Sequence, residues 1–208
     1  ASAVPCIRFP DTGIQPRSAL GFSMKAILLL MGEQKALDDM HALAGPLAER
    51  MAALEAQGKA LAEKIQGHAP VIYASERNRA IAQNWKIRMN ETGKIPAFWN
   101  VVPEMNHNEM TGFDAVPATR ALSEHLCAIF LRDEEDHPKV QKRMAVAEAL
   151  YRARGLLTVA LPMPGSRAFE KILSSVLTAD WTAYYTSQLY GSEAEQVPMV
   201  EEFKKRIA

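Results

Sequence analysis

A dense group of polar side chains lies near the middle of this 208-residue sequence. Two carboxylates, two amides and one imidazole fall within six consecutive positions, at Glu104, Asn106, His107, Asn108 and Glu109. Carboxylates and imidazoles are the side chains that most often move protons in enzymes. This composition therefore favours acid–base chemistry over an ordinary surface helix.

The common catalytic and cofactor motifs are absent from the sequence. It contains no GxGxxG, GxxxxGK[ST] or GxSxG pattern, which excludes the usual dinucleotide, Walker and hydrolase-elbow sites. The triplet from His107 to Glu109 matches half of a zinc deaminase signature, but the P-C-x-x-C partner is missing because Cys127 stands alone. We therefore expect neither a metal nor a cofactor.

Short apolar runs alternate with helical patterns from residue 70 onward. The runs cover residues 71–74, 96–99, 126–131 and 156–160, and the helical patterns cover 76–91, 104–110, 137–154, 166–189 and 197–207. Strand-sized apolar runs separated by amphipathic helices are typical of βαβ units with a parallel sheet. Upstream, Pro16 is expected to open a helix toward Met31, and a helical stretch over 35–66 is expected to break near Gly45 and Pro46.

The polar residues that follow the apolar runs are the candidates for ligand binding. Ligands of open parallel sheets bind outside the carboxyl ends of the strands. Ser75 follows the first run, together with Glu76 and Arg77, and the polar group around His107 follows the second run.

Charge and hydropathy limit the possible partners. Lysine plus arginine equals aspartate plus glutamate, at 24 each, so we expect no nucleic-acid or membrane partner. The longest apolar run is far shorter than the roughly 20 residues of a bilayer span, and no signal peptide is visible. The two cysteines, Cys6 and Cys127, do not form a disulfide framework. We therefore expect a cytoplasmic location.

Several motifs resemble one family. The helix end W-K-x-x-x-N-E from Trp85 to Glu91, the following Lys94, and P-E-M-N-H-N-E up to Glu109 resemble the second SIS domain of bifunctional phosphoglucose/phosphomannose isomerases. The segment Q-P-R-S-A-L-G over 15–21 and the D-W-T triplet over 180–182 are similar to further motifs of that family. The resemblance implies a three-layer α/β fold of the SIS type, with a mostly parallel, flavodoxin-like sheet flanked by helices.

The resemblance also implies catalytic roles. Glu91 matches the general base that moves a proton between C1 and C2 of the open-chain sugar phosphate. His107 matches the imidazole that opens the sugar ring, reaching in from the neighbouring subunit of a homodimer with a shared active site. Arg17 matches the guanidinium that stabilises the enediolate.

Further residues are expected to support these three. Thr182 and its neighbour Trp181 lie where the family uses a small polar residue that contacts the substrate. Gln188 occupies the place of a family lysine, and Ser75 is the remaining candidate for substrate binding. Four residues are expected to hold the catalytic groups in place without contacting the substrate themselves: Lys94, Asn106, Asn108 and Glu109.

One family element is missing from this sequence. The family cradles the substrate phosphate with a Ser/Thr-rich loop in its first SIS domain, and no such loop occurs here. We therefore interpret residues 1–34 as an extended segment with the first helix, and residues 35–208 as a single C-terminal SIS domain. An N-terminal SIS half of the full-length protein is expected as its partner.

The sequence thus favours the C-terminal catalytic domain of an isomerase that interconverts glucose-6-phosphate, and mannose-6-phosphate, with fructose-6-phosphate through a cis-enediolate. A non-catalytic SIS domain that binds a sugar phosphate for regulation is the main alternative, and Gln188 with the missing phosphate loop favours it. A purely structural dimerisation domain is the second alternative.

Overall fold

The computed structural model describes residues 4–114 and 116–208, which form two compact units. The first unit ends at Met51 and the second begins at Ala52. The predicted division at residue 34 follows the end of the first helix, and the interpretation of residues 35–208 as one SIS domain stays a prediction.

The first unit is helical. A 3-10 turn over Pro16–Ala19 leads into α1 (Leu20–Met31), followed by α2 (Gln34–His41) and the start of α3 (Ala44–Ile65). Pro16 begins the turn, where its fixed φ suits a helix start and its missing N–H is not needed. The predicted break is confirmed: α2 ends at His41, and Pro46 lies in the first turn of α3, where it removes no backbone hydrogen bond.

The second unit is built on a sheet of four parallel strands in the order β2-β1-β3-β4. The strands are β1 (Ala69–Ser75), β2 (Phe98–Val102), β3 (Leu126–Arg132) and β4 (Leu157–Pro162). The predicted parallel sheet is confirmed. The second strand begins two residues later than predicted, because Pro96 has no N–H to give to the ladder.

Long helices connect the strands. The connecting helices are α4 (Arg79–Glu91) and α7 (Pro138–Ala153), whereas α8 (Ala168–Leu189) and α9 (Pro198–Ile207) follow the last strand. The prediction of one continuous helix over 104–110 is wrong. A 3-10 turn, Glu104–Asn106, is followed by a separate short helix, α5 (Glu109–Gly112). Asparagine side chains compete for backbone groups and favour turns over helix interiors. A second short helix, α6 (Arg120–Ser123), precedes β3.

The core lies on both faces of the sheet. On one face, strand residues such as Ile72 and Ile129 pack against α3, α4 and α8 through Leu61, Trp85 and Ala183. On the other face, Tyr73 and Phe130 stack at 5.1 Å between ring centroids and pack against α7 through Met144 and Tyr151. Alternate residues of each strand thus point into different cores, which gives the predicted three layers. In the described parts of the chain, no helix has both the length and the apolar character to cross a membrane.

A glycine allows α3 to approach α8 closely. A Cβ added at Gly58 would lie 2.4 Å from the Cβ of Trp181 and 2.8 Å from the backbone nitrogen of Thr182. Both neighbours are close to the α8 backbone, so neither can rotate away. Gly58 therefore fixes the distance between α3 and the part of α8 that carries Trp181 and Thr182.

We predict that Gly58→Ala destabilises the fold by about 1–3 kcal/mol, because the added methyl group overpacks this crossing. Urea unfolding monitored by circular dichroism measures the change. Gly45→Ala is the matched control, since a Cβ at Gly45 meets no atom within 4 Å. A Gly58→Ala variant as stable as the wild type would contradict the close crossing.

Candidate active site

The strand direction places the two strongest candidates, Glu91 and His107, at opposite edges of the sheet. Helix α4 leaves the carboxyl end of β1 and returns to the amino edge, where Glu91 is its last residue. His107 follows Val102, the last residue of β2, at the carboxyl edge. The five residues of β2 between them span about 16 Å. One chain therefore does not bring these two side chains together.

Helices α4 and α8 run side by side from the carboxyl edge to the amino edge. The Trp85 indole Nε1 donates to Ser175 Oγ at 2.9 Å, and one turn later Arg88 Nε pairs with Asp180 Oδ1 at 2.5 Å. Arg88 is fully buried. These contacts place the end of α4, with the half-buried Glu91, beside the second half of α8, which carries Trp181, Thr182 and Gln188.

Lys94 closes the loop that follows Glu91. Its φ of 59° lies in the left-handed region, which costs a residue with a side chain about 1–2 kcal/mol. Its ammonium donates to the backbone carbonyl of Glu91 at 2.5 Å and to the carbonyl of Gln196. The backbone of Glu91 is thereby tied to the segment that precedes α9.

The α8 candidates differ in accessibility. Thr182 is fully buried, and its hydroxyl donates to the carbonyl of Thr178 at 2.7 Å. The Trp181 ring contacts Tyr184 and Tyr185 at centroid distances of 6.0 and 6.1 Å. Gln188 is exposed and borders a small cavity of about 160 Å³. The substrate-binding roles of Thr182, Trp181 and Gln188 stay predictions.

At the carboxyl edge, Glu109 anchors the segment that carries His107. Its carboxylate accepts a hydrogen bond from the Tyr73 hydroxyl and another from Asn100 Nδ2 at 2.6 Å. Burial raises the pKa of Tyr73, and the negative charge of Glu109 raises it further, so the hydroxyl stays protonated as a donor. The segment is thereby fastened to both β1 and β2.

The His107 imidazole is exposed, and its polar neighbours bond elsewhere. Asn108 Nδ2 donates to Glu104 Oε1 at 2.7 Å, whereas Asn106 Nδ2 faces the sulfurs of Met105 and Met110 at 2.9 and 3.1 Å. Within residues 4–114 and 116–208, no hydrogen bond joins these amides or Glu109 to the imidazole. Their predicted role in orienting His107 stays a prediction.

Ser75 ends β1 inside a buried polar cluster. Its hydroxyl accepts a hydrogen bond from Asn78 Nδ2 at 3.1 Å, and the same amide donates to Asp133 Oδ2 at 3.1 Å. Lys171 from α8 pairs with Asp133 Oδ1 at 2.7 Å and with Glu135 Oε1 at 2.9 Å. The role of Ser75 in substrate binding stays a prediction, since the structure shows its hydroxyl among protein partners.

The cluster shifts the ionisation of its two aspartates in opposite directions. Burial raises the pKa of Asp133, but hydrogen bonds from Lys171, the Glu135 N–H and Asn78 outweigh it and lower the pKa overall. Burial raises the pKa of Asp136, and the charge of Asp133 adds to the increase. One carboxylate is thus stabilised as a charge by Lys171, while the other is pushed toward its neutral form.

Arg17 lies in the first unit, within the 3-10 turn Pro16–Ala19, and is half-buried. Its turn precedes α1, as the proline at position 16 indicated. Its role at the enediolate stays a prediction.

A comparison with known families decides the identity of the chain. The model of the family described as bacterial phospho-glucose isomerase C-terminal SIS domain matches residues 54–207. The chain belongs to this family. The match covers the second unit almost completely, from the middle of α3 to the end of α9.

Relatives of this SIS domain are longer than the chain. It is 31% identical to a bifunctional phosphoglucose/phosphomannose isomerase of Aquifex aeolicus, over 94% of this chain and 59% of that protein. It is 28% identical to a protein of the same name from Caldicellulosiruptor bescii, over 95% of this chain and 61% of that protein. The chain thus spans about three fifths of these relatives.

Solved structures share the fold of this SIS domain. A glucose-6-phosphate isomerase like protein from Thermus thermophilus superposes with a TM-score of 0.68 at 17% identity, over 92% of this chain and 63% of that one. At this identity the likeness concerns the fold alone. It agrees with the three-layer SIS architecture predicted from the sequence.

The sequence reasoning missed two polar groups of this SIS domain. The pair of Arg88 and Asp180 leaves no local signal, because its members lie on different helices. The cluster around Asp133 had a signal in the sequence. The polar run 133–136 directly follows β3, and the rule that selected Ser75 at the end of β1 applies to it equally.

We predict that Lys171→Met destabilises the domain by about 3–5 kcal/mol near neutral pH, because the buried Asp133 charge loses its partner. Without Lys171, burial raises the pKa of Asp133 in the folded state. The variant therefore regains stability relative to the wild type as the pH falls toward about 4 and Asp133 binds a proton.

Urea unfolding midpoints of the Lys171→Met variant and the wild type, measured over a pH series, test this. Lys142→Met, which removes an exposed lysine of α7, is the control and is expected to change stability by less than about 0.5 kcal/mol. If the stability lost in Lys171→Met stays constant with pH, the result would contradict the pairing of Lys171 with the Asp133 charge.

Proposed function

We propose that this SIS domain is the C-terminal catalytic part of a sugar-phosphate isomerase that interconverts glucose-6-phosphate and mannose-6-phosphate with fructose-6-phosphate. The observation that carries the proposal is the family match over residues 54–207, together with Glu91 at the end of α4 and His107 sixteen positions later. The names of the relatives support the same reaction.

The proposed chemistry is a proton shift within one molecule. Glu91 takes the proton from C2 of the open-chain aldose phosphate, which gives a cis-enediolate, and returns a proton to C1. The hydroxyl proton of O2 passes to O1, which completes the ketose. C1 is reduced as C2 is oxidised, so the reaction needs no external electron acceptor. His107 moves the proton that opens the ring, and the Arg17 guanidinium stabilises the negative oxygen of the enediolate.

The position of the candidates favours an active site shared between two copies of the chain. Glu91 and His107 lie at opposite edges of one sheet. A two-fold homodimer can join the Glu91 edge of one copy to the His107 edge of the other, and it then contains two equivalent sites. The part of the longer relatives that this chain does not match is proposed to supply the phosphate-binding loop.

Regulatory binding without turnover is the second candidate function. The hydroxyl of Thr182 is fully buried and bonded to its own helix. Gln188 supplies hydrogen bonds but no charge at the place of the family lysine. These observations favour an SIS domain that binds a sugar phosphate without isomerising it.

The test of the proposed function is turnover of fructose-6-phosphate to both aldose phosphates in a coupled assay. Glu91→Gln keeps the size of the side chain but removes the base, so we expect kcat to fall by about 10²–10⁴-fold with the fold intact.

Glu124→Gln is the matched control, because it removes an exposed carboxylate next to β3. It is expected to keep wild-type activity. Full activity in Glu91→Gln would exclude Glu91 as the base, and a folded full-length wild type that binds fructose-6-phosphate without turnover would favour the regulatory function.

A further inference from the structure

A cavity of about 530 Å³ lies beside the His107 segment. Its volume falls within the range of small-molecule pockets. One wall comes from the segment that carries His107 and the other from one face of α7, and the lining residues are Asn106, Met110, Lys139, Lys142, Arg143, Val146 and Ala147. None of the three residues proposed to be catalytic lines this cavity.

The cavity is strongly cationic. Lys139, Lys142 and Arg143 are spaced three and four residues apart, which places them on one face of α7. Like charges at this spacing repel each other and destabilise a helix. No acidic side chain lines the cavity, and within residues 4–114 and 116–208 the ion pairs around α7 involve Arg132, Arg152, Arg154 and Lys171 but none of these three cations. An anion in the cavity would relieve the repulsion.

Asn106 adds no acceptor to the cavity. Its Oδ1 is fully buried, so a ligand in the cavity does not reach it. The binding groups that the cavity offers are the three cations, which suit a phosphate group.

We propose that this cavity is a binding site for a small molecule that carries a phosphate group, which Lys139, Lys142 and Arg143 hold. The concave shape and the balanced net charge of the chain favour a small anion over a nucleic acid. Because Asn106 precedes His107 directly, occupation of the cavity would regulate the site proposed above. This regulatory consequence rests on the proposed function, whereas the binding itself does not.

Titration of the intact chain with fructose-6-phosphate, followed by amide NMR, tests the proposal at its location. We expect saturable shifts at Val146 and Ala147 with fructose-6-phosphate and with inorganic phosphate, and no shifts with fructose. Lys142→Gln/Arg143→Gln is expected to weaken the binding at these amides at least about tenfold. Lys204→Gln/Lys205→Gln on α9, with the same loss of charge, is expected to leave it unchanged.

The proposal is overturned if these amides do not shift with fructose-6-phosphate, or if both double variants bind equally. Equal shifts with fructose, which lacks the phosphate, would show that the phosphate is not recognised, which also contradicts the proposal. The shifts of these amides report binding in the cavity whether or not the protein converts its substrate. Binding in the cavity and the proposed isomerase reaction are therefore tested separately.

Discussion

The common direction of the four strands is the constraint on which the rest of this structure depends. Parallel strands must be joined by connections that return along the sheet, so the connecting helices α4 and α7 begin at the carboxyl edge and end at the amino edge. The residue at the end of α4 and the residue after β2 are therefore separated by the length of a strand. The position of Glu91 relative to His107 follows from this topology and not from any single contact.

The apolar character of the strands on both faces makes that topology stable. Residues 71 and 73 of β1 pack toward α7, while residues 72 and 74 pack toward α3, α4 and α8. Polar groups are concentrated where the apolar layers end. At the carboxyl edge they pair with one another around Asp133 and Lys171, and between α4 and α8 they form the pair of Arg88 and Asp180. These two ion pairs attach α8 to the end of β3 and to α4, the helix that ends at Glu91.

The sequence was informative wherever the signal was local. Apolar runs located the four strands, and prolines located the start of α1 and the break before α3. The errors have local causes too: Pro96 delays β2, and the asparagines around His107 divide a predicted helix into two short turns.

The two ion pairs were beyond sequence reasoning for a different reason. Asp133 and Lys171 are 38 residues apart, and Arg88 meets Asp180 from another helix. Only the folded packing brings such residues together, since charged side chains are ordinarily expected on the surface. Burial of Thr182 has the same origin, because it depends on the approach of α3 at Gly58.

The central claim is that one chain cannot complete the site and that Glu91 and His107 act from different copies. Mixing two inactive variants of the full-length protein, Glu91→Gln and His107→Ala, under conditions that exchange subunits tests it most directly. Random pairing makes half of the dimers mixed, each with one intact site, so about a quarter of the wild-type activity should return. A mixture that stays inactive, although subunit exchange is verified, would contradict the shared site.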